Sequence, residues 1–291
     1  MGILHYTFFQ NALWASLLIA IACGIVGTYI VARRIVFISG GITHATFGGL
    51  GIGFYFGINP LLSALVFAVL SAFGVEYLSH SGSARRMRED SVIAVVWSLG
   101  MAIGVIFIFL TPGYAPNLSA FLFGNILTVP KSDLLWMVIL TGVLIITYML
   151  WKRAILYIAF DRDFAYTQQL PVRLIEYLMM LFIASTIVLS IRLVGIMLLM
   201  SMLTIPQMTV NLFTSNYYRI TIFSCMVGFF GCIAGLFLSY FFHIPSGAFI
   251  ILVLTALFFL AKLVKNVLSE KKIHSLLSLY KQYFAVFAVI V

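Results

Sequence analysis

The segment Ile38–Gly49 reads ISGGITHATFGG, an apolar run in which one histidine stands among glycines and other small residues. No charged residue occurs between Arg34 and Glu76, so His44 is the most polar side chain of this stretch. Either a neighbouring helix holds the imidazole as a tolerated polar group, or the histidine is the reason for the segment.

The composition of the whole chain explains how such a run can exist. Only 9% of the 291 residues are charged and 63% are hydrophobic, whereas about 25% are charged in ordinary soluble domains. A water-soluble fold cannot hide so many apolar side chains, so lipid is the expected solvent for most of the chain. The net charge of +9 is then a signal of membrane topology, and nucleic-acid binding is not expected.

Nine segments are apolar and long enough to cross a bilayer, which takes about 20 residues. They are 12–32, 36–57, 61–78, 91–110, 132–150, 172–191, 194–214, 219–241 and 246–264. If the Arg33–Arg34 turn is cytoplasmic, only Lys131 and Arg192 of the 17 lysines and arginines lie outside, as the positive-inside rule requires. The predicted fold is therefore an all-α polytopic membrane protein with about nine transmembrane helices, its N-terminus outside and its C-terminus in the cytoplasm.

The remaining segments are short. Residues 117–130, NLSAFLFGNILTVP, are too short to cross and predict a helix on the outer face. After a transmembrane domain over 1–264, the tail over 265–291 has apolar residues at helical spacing between lysines, which predicts an amphipathic helix on the cytoplasmic surface. No Gly-Lys-Ser/Thr phosphate loop occurs in the sequence, so any ATP hydrolysis must come from another chain.

The eight acidic residues all lie at or beyond the predicted membrane boundaries. Secondary carriers usually place carboxylates in the membrane core as proton relays or ion ligands, so their absence argues against that class. His44 is left as the only ionisable side chain near mid-membrane, about 12 Å from the inner boundary at 1.5 Å per residue. Neutral imidazole binds zinc, iron, nickel and copper well; the alternative is a histidine bonded to a neighbouring carbonyl.

The glycines near His44 suggest two roles. A stripe of small residues at every fourth position favours close helix packing. It consists of Gly41, Ala45, Gly49, Gly53 and Gly57. Gly40 and Gly48 lie four residues before and after His44 on its own face, where they leave space for a substrate or a partner side chain.

The seventh predicted span carries a second polar stripe. It is formed by Ser201, Thr204, Gln207 or Met208, and Asn211. Pro206 removes a helix hydrogen bond within the stripe and frees a carbonyl group. The stripe indicates either a kinked core helix whose hydroxyls bond their own backbone or the wall of a polar pathway, and for the pathway we select Gln207 over Met208.

The cytoplasmic segment 151–171 predicts a short helix from Asp161, a good N-cap, to Gln169, with Pro171 as its stop. Phe160, Phe164 and Leu170 give this helix an apolar face. Such a helix either docks into a motor subunit or lies on the lipid surface.

Seven motifs, in order, resemble those of the permease subunits of bacterial ABC importers for zinc, manganese and iron, from about Leu13 to Leu263. They are Arg33–Phe37 leading to His44, Arg88–Ile93, Leu122–Leu127, Phe160-Asp161 through Val172 to Glu176-Tyr177, Arg192–Leu199, Thr204–Gln207 and Pro245–Ala248.

The resemblance implies a homodimeric or heterodimeric permease of the bacterial cytoplasmic membrane, with a second copy of this chain as the expected partner. A cytoplasmic ATPase pair would drive it, and an extracytoplasmic metal-binding protein would deliver the ion. The permease itself would be no enzyme and would hold no tightly bound cofactor. The segment 160–171 would be the coupling helix that contacts the ATPase. Its contact residues would be Phe160, Asp161, Phe164, Gln168 and Leu170.

One position departs from the family pattern. The family usually reads Gly-Asp-x-x-Ser-His in the second span, and here Gly40 stands at the aspartate position while His44 is kept. A histidine without the acid favours zinc or ferrous iron over manganese, although Thr43 or water could complete the shell. We therefore expect an ABC permease for a divalent metal, zinc first and then iron or manganese, with His44 as a transient ligand. The expected pathway-lining residues are Gly40, Thr43, Gly48, Ser201, Thr204, Gln207 and Asn211.

Two alternatives remain open from the sequence. A permease for a metal chelate or haem would keep the fold, and the glycine-lined space would suit its larger cargo. A secondary metal carrier working without ATP is a different class, against which the missing core carboxylates argue.

Overall fold

The structure is a computed structural model that describes residues 6–80, 88–112, 126, 129–242 and 244–290. Its side chains are described as far as Leu268, apart from that of His80. The predicted outer helix within 117–130 falls almost entirely outside the described residues, and so do the side-chain faces of the predicted tail helix.

Across the described residues the regular structure is helical, as predicted. The helices are α1 (Thr7–Ala32), α2 (Phe37–Phe56), α3 (Pro60–His80), α4 (Glu89–Leu110), α5 (Lys131–Phe160), α6 (Arg162–Thr167), α7 (Val172–Val194), α8 (Ile196–Asn211), α9 (Tyr217–Phe242) and α10 (Ser246–Ile290). Six of them and the Ser246–Leu268 part of α10 are long and apolar enough to cross a membrane.

Seven of the nine predicted spans are therefore supported by helix length and composition within the described residues. The other two, 36–57 and 194–214, correspond to α2 and α8. The glycines, hydroxyls and histidine of α2 lower its apolarity, and α8 has only 16 residues.

Helix α2 lies at the centre of the bundle, packed between α3 and α4 and in contact with α7 and α8. Its glycines make this possible, because a Cβ atom on Gly49 would lie 2.5 Å from the carbonyl oxygen of Ser63 in α3. On the opposite side, a Cβ on Gly51 would lie 2.5 Å from the carbonyl oxygen of Gly104 in α4. The predicted packing role of the small-residue stripe is confirmed at Gly49 and Gly53, where α3 approaches α2.

Helices α5 and α10 lie at the periphery and expose most of their large apolar side chains, such as Leu150 and Leu263. At the end of the bundle opposite the Arg33–Arg34 turn, Asp133 at the start of α5 pairs with Arg192 of α7 at 2.9 Å. This contact joins the peripheral helix α5 to the interior helix α7.

Candidate functional site

His44 lies on α2 with its imidazole partly exposed and stacked on the indole of Trp97 in α4. The ring centroids are 4.5 Å apart and the ring planes differ by 3°. Its Nδ1 atom is buried and has no hydrogen-bond partner among the described residues. A carbonyl group bonded to Nδ1 would have explained His44 as a structural residue. The described residues provide no such bond.

The position that the family fills with an acid is bordered by apolar groups here. A Cβ atom on Gly40 would lie 3.1 Å from the terminal methyl of Met200 in α8 and 3.8 Å from the ring of Trp97. In the described part of the chain, no three His, Cys, Asp or Glu side chains come together as a metal site. One copy of the protein thus offers an imidazole stacked on an indole, and a methionine methyl group borders Gly40, one turn before the histidine.

Two of the predicted pathway residues near His44, Gly48 and Thr43, are buried in contacts within the bundle. A Cβ on Gly48 would lie 2.8 Å from the ring of Phe67 and 2.9 Å from the carbonyl oxygen of Gly100, so Gly48 serves close helix packing. Thr43 is fully buried, and its hydroxyl donates to the carbonyl of Ser39 in its own helix. The space predicted beside Gly48 is thus taken up by α3 and α4 in this arrangement, and the pathway role of Gly48 and Thr43 stays a prediction.

Helix α8 presents one open face along most of its length. The residues of this open α8 face are Met197, Met200, Ser201, Thr204, Met208 and Asn211, each exposed or partly exposed. The hydroxyls of Ser201 and Thr204 donate to the carbonyls of Met197 and Met200 at 3.1 and 2.9 Å. The two interpretations of this stripe are therefore compatible: its hydroxyls bond their own backbone, and they lie on an exposed face.

Gln207 lies at the edge of this face, on the flank of α8 that turns towards α1, and is fully buried. Its amide donates to the carbonyl of Cys23 in α1 at 2.8 Å and to that of Met202 at 3.2 Å. The second acceptor is the carbonyl that Pro206 leaves without its helical partner. Gln207 therefore joins α8 to α1, whereas the adjacent Met208 is 44% exposed, and which of the two lines a pathway stays a prediction.

Asn211 borders a cavity of about 550 Å³ near the α1–α2 turn, together with Thr28, Arg34 and Tyr217. A second cavity, of about 520 Å³, opens at the other end of α2. It lies against Thr46, Leu50, Phe54, Asn59 and Arg192. The bundle thus has open space beside the α1–α2 turn and at the end of α2 that is distant from this turn.

The predicted short helix between the fifth and sixth spans is present as α6. Asp161 caps it, since its carboxylate accepts from the backbone nitrogen of Phe164 at 3.0 Å. The helix ends at Thr167, earlier than the predicted Gln169, which has a positive φ of 55°. Phe160, Phe164 and Gln168 are exposed and Leu170 is half-buried, which gives α6 an accessible surface with two aromatic rings.

A buried cluster of charges lies beside α6, and the sequence did not predict it. We call it the arginine hub; it consists of Arg33, Glu76, Glu89, Glu176 and Arg162. Arg33 lies 3.3 Å from Glu76 and Glu89 and 3.6 Å from Glu176, which in turn lies 2.8 Å from Arg162. The side chains of Arg33 and Glu176 are only 9% and 1% exposed. The sequence shows each acid only as a single charge near the cytoplasmic boundary, because residues from four helices and the α1–α2 turn meet only in the folded chain.

The charges of the hub also set the ionisation of Arg33. Burial on its own would lower the pKa of Arg33, but the Tyr29 hydroxyl, Glu76, Glu89 and Glu176 outweigh it and raise that pKa. The guanidinium therefore stays charged inside the bundle.

These features define a multi-pass membrane transport subunit: lipid-facing helices surround a glycine-packed helix, and a capped, exposed helix adjoins a buried charge cluster. The chain belongs to the ABC 3 transport family, whose model matches residues 5–265. The relationship to ABC permeases that the seven motifs predicted is thus confirmed. As a member of this family the chain is a transport subunit and not an enzyme.

Individual relatives agree with this assignment. The chain is 41% identical over 250 residues to an uncharacterized membrane protein of Synechocystis sp., covering 86% of this chain and 88% of the relative. It is 33% identical to the manganese transport system membrane protein MntC of Halalkalibacterium halodurans, covering 89% and 88%. Among solved structures it resembles PsaBC from Streptococcus pneumoniae in complex with Fab, with a TM-score of 0.77, 26% identity and coverage of 89% and 92%.

Proposed function

We propose that this chain is the permease subunit of an ATP-driven importer for a divalent transition metal in the bacterial cytoplasmic membrane. The observation that carries the proposal is His44, a partly exposed imidazole whose Nδ1 has no hydrogen-bond partner among the described residues, on a helix packed between other helices of the bundle. Imidazole is a common ligand for such ions, and intramembrane ionisable groups usually mark transport pathways. The name of the MntC relative, a manganese transport system membrane protein, supports a metal as cargo.

We further propose that the cargo is a borderline ion, with zinc first and ferrous iron next. Manganese prefers carboxylate, carbonyl and water ligands, and the MntC relative keeps it as the third candidate. At Gly40 the neighbours are the terminal methyl of Met200 and the Trp97 ring, so the protein offers the His44 nitrogen there without a carboxylate oxygen. A weak site suits a transporter, because an ion bound tightly in mid-membrane would not leave.

Helices α2 and α8 are proposed to cross the membrane as well, which gives nine spans with the N-terminus outside and the C-terminus in the cytoplasm. Both helices contact spanning neighbours on several sides, so they do not need the apolarity of lipid-facing spans. Gly40, Ser201, Thr204, Met208 and Asn211 are the proposed pathway residues beside His44.

The proposed partners follow from the exposed surfaces. The surface of α6 formed by Phe160, Asp161, Phe164, Gln168 and Leu170 would dock into a cytoplasmic ATPase, and the open α8 face would meet a second copy of this chain. An extracytoplasmic metal-binding protein would deliver the ion. Membership of the ABC 3 transport family supports this arrangement over a secondary carrier.

The central test is zinc uptake by the assembled transporter in vesicles. His44→Ala should lower uptake about tenfold or more, in the range found when metal-site groups are removed, while Met149→Ala on the lipid-facing side of α5 should have no effect. Uptake that persists with the ATPase inactivated would favour the secondary carrier, and normal uptake by His44→Ala would remove the histidine from the pathway.

Metal preference is tested by competition between zinc and manganese. Gly40→Asp should shift uptake toward manganese, because it restores an oxygen ligand one turn from His44. Met200→Leu, which keeps the volume and removes the sulfur, is the matched variant for the thioether. A native protein that takes manganese ahead of zinc would contradict the proposed order.

The alternative of a metal chelate or haem as cargo rested on a glycine-lined space beside His44, and that support is now weaker. Phe67 and Gly100 occupy the space beside Gly48, and Met200 borders Gly40. Equal uptake of free zinc and of a zinc chelate would revive it.

A further inference from the structure

The arginine hub is an unusual feature for a bundle with so few charges. Buried ion pairs seldom stabilise a fold more than apolar side chains of similar volume would, because both charges lose their water. Their best-attested roles are to fix one arrangement of the elements that they join or to act in a switch. The position of the hub indicates which elements these are.

One side of the hub belongs to the proposed coupling helix. Arg162 is the first residue of α6, and its guanidinium donates to Glu176 of α7 at 2.8 Å. Glu176 is also 3.6 Å from the guanidinium of Arg33. A displacement of α6 therefore acts on Arg33 through a single carboxylate that is 1% exposed.

The other side of the hub adjoins α2 and α4, the helices that carry His44 and Trp97. Arg33 immediately precedes the α1–α2 turn, and it lies 3.3 Å from Glu89, the first residue of α4. In that turn, Arg34 holds a positive φ of 63°, which is rare for residues with a Cβ atom. The hub thus includes the start of α4 and reaches the start of α2 through the α1–α2 turn.

Helices α2 and α4 are interlocked above these ends. A Cβ on Gly100 would lie 2.5 Å from Cα of Ala45, and one on Gly104 would lie 2.5 Å from the carbonyl oxygen of Phe47. Because the backbones touch, α2 and α4 pack as one close pair. They carry the stacked rings of His44 and Trp97.

We infer that the arginine hub is the mechanical link between the coupling helix and the α2–α4 pair, so that ATPase-driven movement of α6 repositions His44 and Trp97. This inference rests on the proposed function. Arg162, Glu176 and Arg33 act as positioning residues that do not touch the ion.

The test compares metal uptake with ATP hydrolysis in the complete complex reconstituted in vesicles, with zinc as the probe. Arg162→Gln removes the link to α6 and leaves Arg33 with its three carboxylates. Zinc moved per ATP should fall about three- to tenfold, the range expected for residues that couple two sites. Arg162→Lys should restore part of the ratio, and Arg173→Gln, an exposed arginine on α7, should leave it unchanged.

Copurification of the ATPase separates transmission from docking. An unchanged ratio in Arg162→Gln overturns the inference, and so does a loss of uptake that merely follows loss of bound ATPase. If Arg162→Gln does not fold, Glu89→Gln tests the α4 end of the hub instead. Zinc moved per ATP is measured in the same way, and an unchanged ratio or a loss explained by lost ATPase again overturns the inference. Failure of the native chain to bind an ATPase or to import metal would instead refute the proposed function.

Discussion

Two pairs of helices show opposite relations between apolarity and position. Helices α5 and α10 are long and apolar, lie at the periphery and expose side chains such as Leu150, which is 74% exposed. Helices α2 and α8 are shorter or more polar, lie in the interior and carry His44 and the open α8 face. Among these four helices, hydropathy and length therefore identify α5 and α10 as candidate spans and miss α2, which carries His44.

The physical reason is that lipid and protein make different demands on a helix. A lipid-facing surface must be apolar, because hydrocarbon offers no hydrogen bonds. A helix enclosed by other helices can use glycine for close approach and polar groups that find partners nearby. The four predictions below test this contrast between α2 and α8 on one side and α5 on the other.

The largest effect is expected at Gly51 of α2. Gly51→Leu would force a side chain into the backbone of Gly104, so it should cost about 3 kcal/mol or more and abolish recovery of folded protein. Gly142→Leu on α5 is the matched control, since no atom lies within 4 Å of a Cβ built there. Size-exclusion chromatography and thermal unfolding in detergent measure both, and equal loss in the two variants would contradict the contrast.

A smaller loss is expected from deleting buried volume in α8. Leu203→Ala at a fully buried position should cost about 2–3 kcal/mol, because the surroundings only partly fill the cavity. Leu150→Ala on the lipid-facing side of α5 should leave the unfolding temperature nearly unchanged, since lipid tails refill the space. A similar decrease in both variants would mean that this side of α5 is also enclosed by protein and does not face lipid.

Adjacent residues of α8 should respond differently. Gln207→Leu removes the hydrogen bond to Cys23 and should lower the free energy of unfolding by about 1 kcal/mol. Met208→Leu should not change stability, and any effect should appear in zinc uptake. If Met208→Leu destabilises the protein while Gln207→Leu does not, the assignment of the two faces of α8 is wrong.

The smallest effect is expected where α5 is joined to α7. Asp133→Asn weakens the ion pair with Arg192, whose side chain is 48% exposed, so the expected cost is at most about 1 kcal/mol. Added salt should reduce the difference between the native protein and this variant. A loss as large as that of Leu203→Ala would show that α5 depends on this pair for its attachment.

Local sequence signals predicted much of this molecule. Apolar runs marked the spans, Asp161 marked the start of α6, and the small-residue stripe marked the packing of α2 against its neighbours. The same signals failed where two faces of one helix had to be distinguished. Gln207 and Met208 are adjacent, and which of them faces α1 depends on Gly27, where a Cβ would lie 2.5 Å from the Gln207 amide.

The sequence by itself determined the solvent, the helical class and the family, and it singled out His44, because composition, periodicity and motifs are local properties of the chain. Only the tertiary structure decided that Met200 and Trp97 border the position of the missing acid at Gly40, and that Gly48 is filled. It also decided that Arg33, Glu76, Glu89, Glu176 and Arg162 form one buried hub. Such contacts join residues far apart in the chain, and no pattern within one helix records which neighbour it will meet.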